Sequence, residues 1–153
     1  MSFKLHPDAK NWFKSVQSKP PLVTFFDTYH LCFTIGAAYG RKKDLENGEL
    51  FADEFILRYR PHQAVMIGVL LTSSMNRQGI DFANKDSVVK EAERLIASSS
   101  NGTQLTAAGY KEMNAYAAGG FDLLSEELNE PPSNIVYLLD RFSNLLGKAS
   151  TKI

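Results

Sequence analysis

The chain has 153 residues, 44% of them hydrophobic and 22% charged, with 17 Lys+Arg set against 17 Asp+Glu. This is one ordinary domain with enough apolar content for a core, and its neutral total argues against a dedicated nucleic-acid coat while leaving a local basic patch open. One cysteine, Cys32, excludes an intrachain disulfide; the start Met1-Ser-Phe-Lys-Leu-His-Pro7 has no apolar signal core, and the longest apolar run, 64–71, is too short for a bilayer, so the expectation is a soluble cytoplasmic protein with no membrane contact.

Leu5 to Gln17 reads as a short amphipathic helix, with Pro7 in its first turn and Trp12, Phe13 and Val16 on one face. Lys19-Pro20-Pro21 ends it. Thr24 to Tyr39 reads as a central helix. Thr24 suits the N-cap, Asp27 suits the positive helix end, and apolar residues occupy both sides. Gly40 is placed for a C-cap, and Arg41-Lys42-Lys43 complements the negative end. Leu50 to Tyr59 stays open between helix and extended chain: Phe51, Phe55 and Tyr59 recur every four residues, yet Phe55-Ile-Leu-Arg-Tyr59 passes as a short strand.

Pro61 to Gln78 is a second apolar helix. Asp86 to Ser99 is amphipathic and Ser98 to Gly102 is a polar break. Thr106 to Leu128 is a long helix, and Ser133 caps a last one ended by Gly147. The sum is an all-α single-domain helical bundle of five to seven helices over residues 1–148, with a loose tail over 149–153.

Little of this points to catalysis. His6, His30 and His62 lack metal-ligand spacing, and no cofactor or metal is expected. Cys32 sits mid-helix among apolar residues, where a thiol stays inert. Ile35-Gly36-Ala-Ala-Tyr-Gly40 lacks the lysine and hydroxyl of a phosphate loop. Asp53-Glu54, Glu91/Glu93 and Glu126-Glu127 read as solvated faces. No set of nucleophile, base and oxyanion donor assembles, so the expectation is a non-enzymatic protein. An enzymatic alternative would centre on the neighbourhood of His30, Asp27 and Tyr110.

Arg41, Lys42, Lys43, Arg58 and Arg60, with Tyr39 and Tyr59 beside them, are the candidate nucleic-acid contacts, for DNA or RNA. The bland account of the same cations is helix-end complementarity and solubility. Gly119 and Gly120 stand in mid-helix, where two glycines cost about 2 kcal/mol relative to alanines. Ala115, Ala117 and Ala118 precede them, so that turn is expected to pack closely on the helix containing Gly36 or on the one containing Gly68.

Two segments carry a resemblance. Phe25-Phe-Asp-Thr-Tyr-His-Leu-Cys-Phe-Thr-Ile-Gly-Ala-Ala-Tyr-Gly-Arg-Lys42 resembles an early helix made of an aromatic, a short polar stretch, an A-A-x-G turn and a basic loop. Tyr110-Lys-Glu-Met-Asn-Ala-Tyr-Ala-Ala-Gly-Gly-Phe-Asp-Leu-Leu124 is similar to a later E-x-Y-A-N-x-G helix, with Ala118 where that motif has a polar residue. The family resembled is the small accessory proteins of bacterial DNA phosphorothioation (Dnd) gene islands, part of anti-phage defence. The resemblance covers roughly residues 22 to 128 and brings no catalytic residue. It implies a helical accessory subunit acting with larger, nucleic-acid-handling protein partners; a homo-oligomer stays open.

Overall fold

The computed structural model describes residues 1–97 and 104–150. In chain order these form β1 (Phe3–Leu5), α1 (Ala9–Trp12), α2 (Phe25–Tyr39), β2 (Glu49–Ala52), a 3-10 helix (Leu57–His62), α3 (Gln63–Gln78), α4 (Lys85–Leu95), α5 (Ala107–Leu128) and α6 (Ile135–Ser150). The domain is mostly helical, but it is not all-α. β1 and β2 pair antiparallel, with Lys4 opposite Leu50, Leu5 opposite Glu49 and an irregularity between Phe3 and Lys4.

That small sheet replaces the helix expected from Leu5. Phe3 and Leu5 alternate with Lys4, and both are buried. The Phe3 ring sits 4.8–5.5 Å from the rings of Phe55, Tyr110, Phe26 and Tyr29, which come from three distant parts of the chain. Only four residues of the expected first helix are α-helical. Phe13 and Val16 reach the core from the turns that follow it. The open segment 50–59 resolves into β2, a bend and the start of the 3-10 helix, which contains Pro61.

The central helix is α2. Its N-terminus is a capping box: the Asp27 N–H donates to Thr24 Oγ1 at 3.3 Å, and the Thr24 N–H donates to Asp27 Oδ2 at 2.7 Å. Its C-terminus is Gly40 in the left-handed region, φ 65°. α5 crosses it as one unbroken helix. A Cβ on Gly36 would collide with the Tyr116 carbonyl oxygen, and one on Gly120 with the Cys32 carbonyl oxygen, so the two backbones touch directly. Such contact places carbonyl oxygens against Cα–H groups. Gly119 meets the backbone of Arg41 and Lys42 as the chain leaves α2. Gly68 does not take part: it is exposed on α3 with nothing near its would-be Cβ.

Three ends differ from the sequence expectation. α4 stops at Leu95 because Ile96 turns extended and bridges Leu105; the polar break at 98–102 lies outside the described residues. Asn134, not Ser133, caps α6, its Oδ1 accepting from the Val136 N–H at 2.8 Å and the Tyr137 N–H at 3.3 Å. α6 runs on through Gly147 to Ser150, with Ala149 buried. Of the expected loose tail, 151–153 lie outside the described residues.

Candidate functional site

The basic run leaves α2 across the face of α5. The Arg41 N–H donates to the Gly36 carbonyl at 2.9 Å and the Lys43 N–H to the Ala115 carbonyl at 3.0 Å. That path delivers each cation to an α5 carboxylate. Arg41 grips Glu126 with two nitrogens, at 2.8 and 3.3 Å. Lys42 lies 2.8 Å from Glu112, and Lys43 lies 3.2 Å from Asp122. Arg58 pairs with Asp27 at 3.3 Å, and Arg60 reaches Glu54 at 4.0 Å. Arg58 meets α2 at its N-terminal end and Arg41 follows its C-terminal end. Fifteen residues separate those ends, roughly 20 Å of helix at about 1.5 Å per residue. The five cations therefore neither share one surface nor stand without counter-charge.

Of the acid–base trio, Asp27 and His30 both meet Tyr59, while Tyr110 bonds elsewhere. Asp27 accepts from the Tyr59 hydroxyl at 2.5 Å besides Thr24 and Arg58. The Tyr110 hydroxyl donates to the Asp53 carbonyl at 3.1 Å. His30 packs against the edge of Tyr59, and burial lowers its pKa, with His62 adding to the effect and Asp27 opposing it. Cys32 is buried, and desolvation pushes its thiol up to about 12. His6 is buried against Phe121; its Nδ1 accepts the Asp8 N–H at 3.1 Å, and its Nε2 lies 3.5 Å from Asp122 and 3.4 Å from the Lys43 ammonium. Burial lowers the His6 pKa, partly offset by Asp122.

Two buried polar residues, one unremarked in the sequence and one read there as solvated, bond across several elements. Asn114 accepts from the Lys4 N–H at 3.1 Å and the Tyr29 hydroxyl at 2.8 Å, and donates to the Ser2 carbonyl at 3.0 Å. The only hint was an amide inside an otherwise apolar turn. Glu91, read as solvated, is 5% exposed. It accepts from Ser74 at 2.8 Å, from Gln78 and from Arg94 at 2.5 Å. The Arg94 hydrogen bond holds its carboxyl below the usual range against the effect of burial, with Ser74 and Gln78 assisting. Arg94 and Glu112, 3.8 Å apart, join this cluster to Lys42.

Large apolar side chains open to solvent occur along the chain, from Val23 and Phe25 to Phe82, Val89, Val136 and Tyr137, and four more fall on successive elements. Leu50, Leu57, Val65 and Val69 are 56%, 76%, 68% and 39% exposed, on the successive elements β2, the 3-10 helix and α3. A shallow groove of about 550 Å³ lies among Phe51, Ala52, Phe55, Ile56, Leu57 and Arg60. No described helix is long and apolar enough to cross a membrane, and the described residues contain no group of His, Cys, Asp or Glu arranged for a metal ion. No family model, curated protein or solved structure matches the chain.

Proposed function

We propose that the chain is a non-enzymatic helical subunit that works by holding a larger protein partner. The observation that carries this reading is the exposed aliphatic series Leu50, Leu57, Val65 and Val69 on consecutive elements. Exposed apolar side chains on consecutive elements are what contact surfaces offer, and Val65 and Val69 line one shallow groove beside Gly68. The internal ion pairs of Arg41, Lys42, Lys43, Arg58 and Arg60 weigh against the nucleic-acid alternative, since a phosphate would have to displace a carboxylate at each. A place in an anti-phage, DNA-processing assembly has the resemblance of residues 25–42 and 110–124 as its support. In the fold those segments are α2 with its exit and part of α5, which meet through Gly36 and Gly120.

Affinity capture from extracts of the source cells, followed by size exclusion, tests the reading. The wild-type chain should co-elute with a larger protein. A Leu57→Glu/Val65→Glu/Val69→Glu variant should lose it at an unchanged melting temperature. A stable wild-type monomer that retains no partner would sink the proposal.

A further inference from the structure

We propose that the outer edge of β2 takes up an extended segment of the partner as a third strand, one that sets Lys or Arg side chains beside the acidic residues flanking that edge. This rests on the protein-binding reading and names the chemistry of the partner.

The two edges of the sheet are treated differently. The outer edge of β1 is closed by Asn114, whose carboxamide takes the Lys4 N–H and gives to the Ser2 carbonyl, as a neighbouring strand would. In an antiparallel pair each residue points its N–H and C=O to the same side, and opposite residues alternate between bonding each other and facing away. Lys4 turns its N–H toward Asn114, away from β2. Lys4 and Leu50 are therefore a non-bonded pair. Leu50 must then turn its own N–H and C=O outward. Outside the β1–β2 ladder, neither group has a hydrogen bond among the described residues. The Leu50 side chain is exposed as well. An outward N–H and C=O on one residue is the docking point for strand addition.

Charge identifies the occupant. From Asp44 to Leu57 the chain carries Asp44, Glu46, Glu49, Asp53 and Glu54 and not one Lys or Arg, although the whole chain is neutral. Among the described residues two of the five have an ion pair, Glu49 with Lys10 at 3.5 Å and Glu54 with Arg60 at 4.0 Å. A second copy pairing edge to edge about Leu50 would set this acidic flank against itself, since a two-fold contact uses the same patch twice. A basic strand meets opposite charge. The groove between Phe51 and Leu57 is placed for an apolar side chain of the same segment.

Random heptapeptides displayed on phage, selected against the full purified chain, supply the probe; the enriched peptide is then synthesised and titrated by fluorescence anisotropy. Enrichment should favour apolar residues alternating with Lys or Arg. Affinity should fall about tenfold or more in Leu50→Pro, which deletes an outward N–H and leaves the β1 ladder intact. It should fall similarly in Asp53→Lys/Glu54→Lys. Both variants should melt close to wild type. The Leu50 amide should exchange quickly in the free chain and become protected with peptide bound. Should Leu50→Pro fail to fold, the Asp53/Glu54 variant and the Leu50 amide decide the matter. No enrichment, or peptide affinity indifferent to the decisive variants, overturns the inference. A wild-type dimer that Leu50→Pro turns into a monomer also overturns it, giving the edge to a second copy. The two proposals fail separately. Loss of the captured partner in the Leu57/Val65/Val69 variant but not in Leu50→Pro keeps the protein-binding reading and removes the edge. Basic-peptide binding by a chain that captures no partner does the reverse.

Discussion

Asn114 shows how much one side chain can decide. It is buried, and its single carboxamide joins β1, α2 and α5 by holding the Lys4 N–H, the Ser2 carbonyl and the Tyr29 hydroxyl. Replacing it by Leu leaves those three groups without their partner in a dry setting. The expected cost is about 2–3 kcal/mol by urea denaturation. Asp27 acts on the same scale but with a pH signature. Burial raises its pKa, yet the Tyr59 hydroxyl, Thr24 and Arg58 outweigh burial, and the net shift is downward. A carboxyl with a depressed folded pKa stabilises fully above its unfolded value, about pH 4. That contribution disappears as pH falls through the folded value. Asp27→Asn should therefore lower the urea midpoint most at neutral pH. Variant and wild type should converge in acid. A gap that stayed constant across the titration would show that Asp27 contributes through shape rather than charge.

Among elements, the α2–α5 crossing is the tightest contact, and it explains why a long helix keeps two adjacent glycines. The propensity lost at Gly119 and Gly120 is offset by backbone contact that no side chain permits. Gly120→Ala should destabilise by about 1–3 kcal/mol or more, because the obstacle is the Cys32 carbonyl and not a movable side chain. Gly68→Ala should do the opposite. With open space around an exposed helical position, it should gain about 0.5–1 kcal/mol. Thermal melts of the two variants are the check, and equal shifts in the same direction would refute the assignment. The small residues behind the family resemblance lie in this crossing, so packing alone is sufficient reason for their presence.

For the whole molecule, neutrality conceals an uneven layout. Cations at 41–43 are matched across α5 by Glu126, Glu112 and Asp122, while the acids of 44–54 keep much of their charge open. Neutralising the run as Arg41→Gln/Lys42→Gln/Lys43→Gln should cost about 1–2 kcal/mol at low salt and less at high salt, as exposed or half-exposed ion pairs do. If the triple variant instead kept its stability and lost a salt-sensitive affinity for DNA or RNA, the cations would be a nucleic-acid surface after all.

The periodic helices were legible because their signals are local. Thr24 with Asp27, Gly40, and the apolar faces of α2, α3 and α5 need only neighbours a few residues away, and the small turn at Gly119-Gly120 announced a close contact. The strand pair was not legible. Three and four residues carry too little pattern, and the cluster that holds Phe3 in place draws on residues from 26 to 110. Nor could spacing tell Gly36 from Gly68 as the partner of α5, or a free basic run from a paired one. Carboxylates some 70 to 85 positions away settle that second question, and local sequence carries no record of distance through space. The sequence alone determined a neutral, mostly helical domain with one buried cysteine. Tertiary structure alone decided which charges are matched, which glycines touch, and that the Leu50 side chain of β2 faces solvent. Pairing and burial are properties of chain segments brought together, and those are set only when the whole chain packs.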